Sequence, residues 1–153
     1  MTDLSIRPVN AVNWRPITAL TLKRNQQEFI ESNAVSILES FYDTGNCWRC
    51  FGLYQRDHAV GFIMIGAENK AEKYIWLDRF MIDSHYQGKG LGGRFLSLIT
   101  AYIDEHFNVG EIVLSVMKEN KAAKSFYERC GFSPAGLIDP ENGEEIFTLS
   151  LEE

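Results

Sequence analysis

Gln87-Gly88-Lys89-Gly90-Leu91-Gly92-Gly93 sets glycines at the head of an amphipathic run. Glycine permits positive φ and close approach of backbone to a ligand. A helix opening on such a loop offers free N–H groups that favour anions, above all phosphates. Phosphate binding is the first chemistry the sequence suggests. Gly88, Gly90 and Gly93 fit G-x-G-x-x-G, a dinucleotide pattern that is weak alone. Its ribose carboxylate belongs about 20 residues on, near the end of the next strand. Glu111 has that spacing but begins its strand, whereas Glu119 lies nearer the strand's end. The chain after the loop is also too short for two mononucleotide halves. A nucleotide P-loop fails outright, because Gly90 follows Lys89 where Ser or Thr is required.

Asp78 is a second chemical signal. It interrupts the apolar run Trp76-Leu77-Asp78-Arg79-Phe80. An acid in a central strand costs energy unless its charge is satisfied, and burial raises its pKa. Such a carboxylate suits proton transfer. The plainer reading is an ion pair, although neighbouring Arg79 should point to the opposite face of a strand. Cys47 and Cys50 spell C-x-x-C, but no second such pair follows and His58 fits no zinc pattern. Cys47, Cys50 and Cys130 read as structural thiols, and no metal site is expected.

Periodicity predicts the elements that carry these residues. Leu4 to Val9 forms a short strand. Trp14–Leu22 reads as a helix with Asn13 as N-cap and Pro16 in its first turn. A second helix spans Asn33–Tyr42, with Val35, Leu38 and Phe41 on one face. Strands follow at Trp48–Gln55, His58–Gly66 and Lys73–Ile82, the first two joined by an Arg56-Asp57 turn. The third is apolar on both sides, as in the middle of a sheet. The glycine loop opens a helix to about Phe107, with Leu91, Phe95, Leu98, Ile99, Tyr102 and Ile103 along one stripe. Glu111–Met117 is a strand, Asn120–Cys130 a helix stopped by Gly131, and Phe132–Ile138 and Glu144–Leu151 close the chain around Asn142-Gly143. This order predicts an α/β (α+β) sheet in one layer with helices packed on it.

At 153 residues the chain has the length of a single domain, 1–153. It is 45% hydrophobic and 24% charged, which excludes disorder, collagen and coiled coil. The formal net charge of −6 resides in Asp139, Glu141, Glu144, Glu145, Glu152 and Glu153, a tail read as a solubility feature. The remainder is balanced, so no basic field suggests nucleic-acid binding. No run reaches the ~18 apolar residues of a membrane span. Met1-Thr2-Asp3-Leu4-Ser5 lacks a secretory pattern. With an odd number of cysteines, a cytoplasmic place is expected.

Gln87-x-x-Gly90-x-Gly92 resembles the coenzyme A pyrophosphate loop of the GNAT superfamily of N-acetyltransferases. Asn120, Ala123, Phe126-Tyr127 and Gly131-Phe132 resemble that family's downstream helix motif, at the usual distance and in the usual order. The resemblance extends over nearly the whole chain. Within the superfamily the sequence is most similar to bacterial spermine/spermidine acetyltransferases. That similarity rests on Asn25-Gln26 with Phe29-Ile30-Glu31-Ser32, on Trp76-Leu77-Asp78-Arg79-Phe80, on Ile82-Asp83 with Tyr86 to Gly92, and on Asn142-Gly143-Glu144.

The resemblance implies a GNAT acyl-CoA N-acyltransferase fold, a central mixed, twisted sheet of about seven strands with helices on both faces. It implies acetyl-CoA as co-substrate and direct transfer without an acyl-enzyme. Backbone of Phe80, Met81 and Ile82 would pair with the pantetheine arm, in a gap between the fourth and fifth strands. Gln87 to Gly93 would hold the pyrophosphate, and Asn120 would bond the arm while serving as a helix N-cap. Tyr127 would protonate the departing thiolate, and Asp78 would take the amine's proton, directly or through water. Glu28 and Glu31, three apart, share a face if helical, and with Asp78 would line an acidic channel for a polyamine. The plainer reading of Glu28 and Glu31 is a solvated helix face. Trp14, Tyr42, Trp48 or Trp76 could pack along the alkyl stem. Family members are often homodimers. Other amine acceptors, or a non-catalytic acyl-CoA-binding module, stay open on sequence grounds.

Overall fold

Seven of the apolar runs pair into one sheet. Its strands are β1 (Leu4–Pro8), β2 (Arg49–Gln55), β3 (His58–Asn69), β4 (Tyr74–Ile82), β5 (Glu111–Val116), β6 (Ser133–Ile138) and β7 (Glu145–Ser150). The structure is a computed structural model describing residues 3–151. Met1 and Thr2 of the N-terminal stretch, and Glu152 and Glu153 of the acidic tail, lie outside the described residues. The strand order is β1-β2-β3-β4-β5-β7-β6, which puts β4 in the centre as its two-sided apolar pattern predicts. β4 and β5 are parallel, and every other neighbouring pair is antiparallel.

Side chains alternate across each strand, so the sheet supplies two apolar layers. On one face, Ile63, Ile65, Ile75, Leu77, Ile112 and Leu114 pack with the stripe of α3 (Leu91–His106), and α4 (Lys121–Arg129) adds Phe126 and Tyr127 at the margin. On the other, Tyr54, Phe62, Met64 and Met81 pack with Ile17 of α1 (Trp14–Thr18), and Ile37 of α2 (Asn33–Tyr42) joins them.

Two helices differ from expectation. α1 ends at Thr18, well short of Leu22, because the buried Asp83 carboxylate accepts the Thr21 N–H at 2.8 Å and Ser84 N–H donates to Thr21 O at 2.8 Å. Asn13 holds the N-cap position of α1 as expected, but its side chain makes no cap bond: its amide accepts from Asn10 N–H and donates to Pro8 O. α2 has its expected bounds, with Ser32 as its capping side chain. Its apolar face nevertheless points outward, leaving Val35 39%, Leu38 56% and Phe41 69% exposed. The polar side turns in because it finds partners there. Asn33 Nδ2 donates to Ile17 O at 2.9 Å, and Ser36 Oγ accepts from Arg79 at 3.0 Å.

Candidate active site

The site begins with an irregularity in β4. Between the pairs Phe62–Met81 and Met64–Asp78, β3 supplies one residue and β4 supplies Arg79 and Phe80. This is a β-bulge, which re-aims side chains. Arg79 sits at φ 54, a left-handed conformation that costs a non-glycine residue about 1–3 kcal/mol. The bulge shifts the alternation, so that Leu77 belongs to the α3 layer but Met81 to the α1 layer. Gly61 faces this segment from β3. A Cβ there would lie 2.5 Å from Met81 O.

The bulge corrects the expectation that Arg79 faces away from Asp78. Arg79 N–H donates to Asp78 Oδ1 at 2.8 Å, and its Nε lies 3.6 Å from the same oxygen. The guanidinium also pairs with Glu39 at 3.0 Å and donates to Ser36 Oγ, both on α2. Burial raises the Asp78 carboxyl above its ordinary range; Arg79 partly offsets this, while Glu144 and Glu39 add to the rise.

Below the bulge the sheet opens. β4 pairs with β5 only from Tyr74 to Trp76, while β5 stays paired with β7 through Val116. A cavity of about 810 Å³ occupies the divergence. Phe80, Met81 and Ile82 line one wall, and Leu114, Ser115 and Val116 the other. At one end stands the glycine loop, with Gly90 in the left-handed region (φ 76) as N-cap of α3. A Cβ on Gly88, Gly90 or Gly93 would meet no heavy atom within 4 Å, so the backbone faces open space. Loop and cleft together fit the phosphates and the extended arm of coenzyme A.

The cavity gathers most of the residues singled out from the sequence: Asp78, Tyr127, Asn120, Gln87, Gly88, Gly90, Gly92, Gly93, Glu28 and Glu31. Lys89 and Leu91 stand outside its lining. Lys89 Nζ lies 5.7 Å from the centroid of the Tyr86 ring, and the Leu91 side chain is buried in the core. Asn120 Oδ1 caps α4 by accepting from Ala123 N–H at 3.2 Å. Burial first, then the Asp78 charge, push the Tyr127 phenol well above its usual pKa. Glu28 and Glu31 do not share a helix face: Glu28 lies in the six-residue 3-10 helix Arg24–Phe29, and the chain is extended at Ile30. They reach one cavity from consecutive segments instead.

Trp14, Tyr42, Trp48 and Trp76 are absent from the described lining; its aromatic members include Phe29, Phe80, Tyr86 and Phe126. Cys47, Cys50 and Cys130 are free thiols and also lie outside it. Sequence reasoning counted Asn142-Gly143-Glu144 toward the family resemblance but gave Glu144 no place at the site. Read as part of a solubility tail, it lines the cavity and accepts from Ser115 Oγ at 2.8 Å. Glu145 is paired with Lys124. The Asn142-Gly143 turn places Glu144 at a strand start, but nothing local indicates the cavity.

A mixed sheet that splays at a glycine-loop helix, with a carboxylate and a phenol in the gap, defines an acyl-CoA transferase site. Residues 15–132 match the acetyltransferase (GNAT) family, and the chain belongs to it. It is an acetyl-CoA-dependent N-acetyltransferase. It is 35% identical over 156 residues to a probable spermine N(1)-acetyltransferase of Bacillus subtilis subsp. natto, covering 97% of this chain and 99% of that one. It is 34% identical, with the same coverage, to the spermine/spermidine N(1)-acetyltransferase of Bacillus subtilis. Among solved structures, the spermidine N-acetyltransferase of Vibrio cholerae in complex with CoA and spermine shares the fold, with a TM-score of 0.76, 22% identity and coverage of 97% of this chain and 95% of that one. Among the described residues no helix is long and apolar enough to cross a membrane.

Proposed function

We propose that the acceptor is a terminal primary amine of a polyamine, spermine or spermidine. One observation carries this reading: Glu28 and Glu31, Asp78 and Glu144, from three stretches of the chain, line the cavity that includes the glycine loop. Of the two arginines in the lining, Arg79 and Arg129, Arg79 is already engaged by Glu39 and Asp78. A flexible polycation answers such an arrangement, since each ammonium gains a charge-assisted partner. The names of the Bacillus relatives support the same acceptor class.

Acetyl-CoA supplies the thioester. N–H groups of Gly88 to Gly93 would hold its phosphates, as helix starts do, and backbone of Phe80 to Ile82 would align its arm. The attacking nitrogen must first lose a proton. Asp78 would take it, a role its raised pKa supports. Its short side chain favours a bridging water. Tyr127 keeps its phenolic proton at neutral pH, so Oη can donate to the sulfur as the carbon–sulfur bond breaks. Direct transfer from thioester to amine needs no cysteine nucleophile, and the described lining holds none. Free thiols fit a reducing cytoplasm. Self-association belongs to the same proposal, and the outward apolar face of α2 supports it.

Neutralising the channel tests the acceptor. Glu28→Gln and Glu31→Gln together should raise KM for spermine about tenfold or more, by loss of charge-assisted contacts, with KM for acetyl-CoA unchanged. An unchanged spermine KM would assign these carboxylates to the solvated surface.

A further inference from the structure

The acceptor segment and the cofactor loop touch through two side-chain amides. Gln87 Nε2 donates to Gln26 Oε1 at 2.9 Å, and Gln26 Nε2 donates back to Gln87 Oε1 at 3.2 Å. Each amide has a second duty. Gln87 Nε2 also donates to Ile82 O at 2.8 Å, at the end of β4. Gln26 Oε1 also accepts the Lys23 N–H at 3.2 Å, closing the start of its own 3-10 helix.

That helix, Arg24–Phe29, buries none of its residues. Segments with few buried apolar contacts open at low free energy. Its order therefore depends on polar ties, and Gln26 is its direct link to the loop. Glu28 and Phe29 of the same helix, and Glu31 just beyond, line the cavity where the acceptor is proposed to bind. Gln87 adjoins Gly88, where the phosphates are proposed to bind.

We propose that the Gln26–Gln87 amide pair couples the two halves of the active site, so that a filled cofactor loop tightens binding of the polyamine. The inference rests on the acceptor reading given above. Phosphates accepting N–H bonds from the loop restrict Gln87. Gln87 then holds Gln26, and Gln26 holds the helix that presents Glu28 and Phe29. A ligand shifts such an equilibrium only by its preference for one state, and here that preference passes through the amide pair. The coupling is reciprocal, so spermine must tighten CoA by the same factor. Gln26 is in these terms a positioning residue.

Calorimetric titration of spermine into the full chain, with and without saturating CoA, measures the coupling. Wild type should bind spermine about fivefold or more tighter in the presence of CoA. Gln26→Ala, and Gln26→Met, which keeps the side-chain length, should bring that ratio to near one. A merely structural role would weaken spermine equally in both titrations and preserve the ratio. A wild-type ratio near one, or an undiminished ratio in Gln26→Met, overturns the coupling. Failure of wild type to bind spermine under either condition overturns the acceptor reading, and the coupling with it.

Discussion

Arg79 sits one residue from the candidate base and contacts it twice. Its side chain is 18% exposed, and the guanidinium bridges Asp78 and Glu39. The groups acting on Asp78 oppose one another: burial raises its pKa, Arg79 lowers it, and Glu144 and Glu39 raise it. A base works only when ionised, so activity should fall as pH drops through a pKa above the ordinary Asp value of about 3.9. Arg79→Met removes the opposing positive charge. The acid limb of log kcat/KM against pH should then move to higher pH, and the loss at pH 6 should exceed the loss at pH 8.5, by up to about tenfold for each pH unit the limb moves. An equal loss at every pH would mean that Arg79 acts on packing alone. Tyr127 has the complementary environment, where burial and the nearby carboxylate keep its proton in place.

At the scale of elements, the central requirement is the shape of β4. Gly61 leaves room for the bulged segment, because any Cβ there would collide with Met81 O at 2.5 Å. Gly61→Ala should therefore destabilise the protein by about 1–3 kcal/mol, read as a lowered thermal midpoint; wild-type stability would show that β4 can shift without cost. The central position of β4 and the apolar stripe of α3 were legible in the sequence, because alternation and helical spacing are strong there. Asp78 was legible as an acid in an apolar strand. The bulge was not, since Arg79 is neither glycine nor an obvious turn residue, and its partners Ser36 and Glu39 lie some forty residues away. The outward turn of α2 was hidden for the same reason: Asn33 and Ser36 are buried only because Ile17 O and Arg79 await them. α1 stopped early through the tertiary claim of Asp83 on Thr21. That Glu28 and Glu31 belong with Asp78 was legible, and both line its cavity; their route there was not, because a 3-10 helix replaced the α-helical turn that would have paired them.

Over the whole molecule, charge and shape act together. The net charge of −6 looks like a property of the C-terminal tail, yet folding brings Glu144 from that tail beside Asp78, Glu28 and Glu31. A cleft lined mainly by one sign of charge concentrates ligands of the other. The opposite end of the same cavity is backbone from the glycine loop, suited to phosphate anions. On the proposed reading, one cavity takes a polyanionic cofactor at the glycine loop and a polycationic acceptor among the carboxylates, and Asp78 and Tyr127 both line it. The most direct measurement is CoA release from acetyl-CoA with spermine, spermidine, a lysine peptide and an aminoglycoside in parallel, for wild type and Asp78→Asn. The account predicts turnover with spermine and spermidine well above the other two amines, and a loss of about 10²–10⁴-fold in the variant. Turnover confined to the peptide or the aminoglycoside, or full activity in Asp78→Asn, would contradict it.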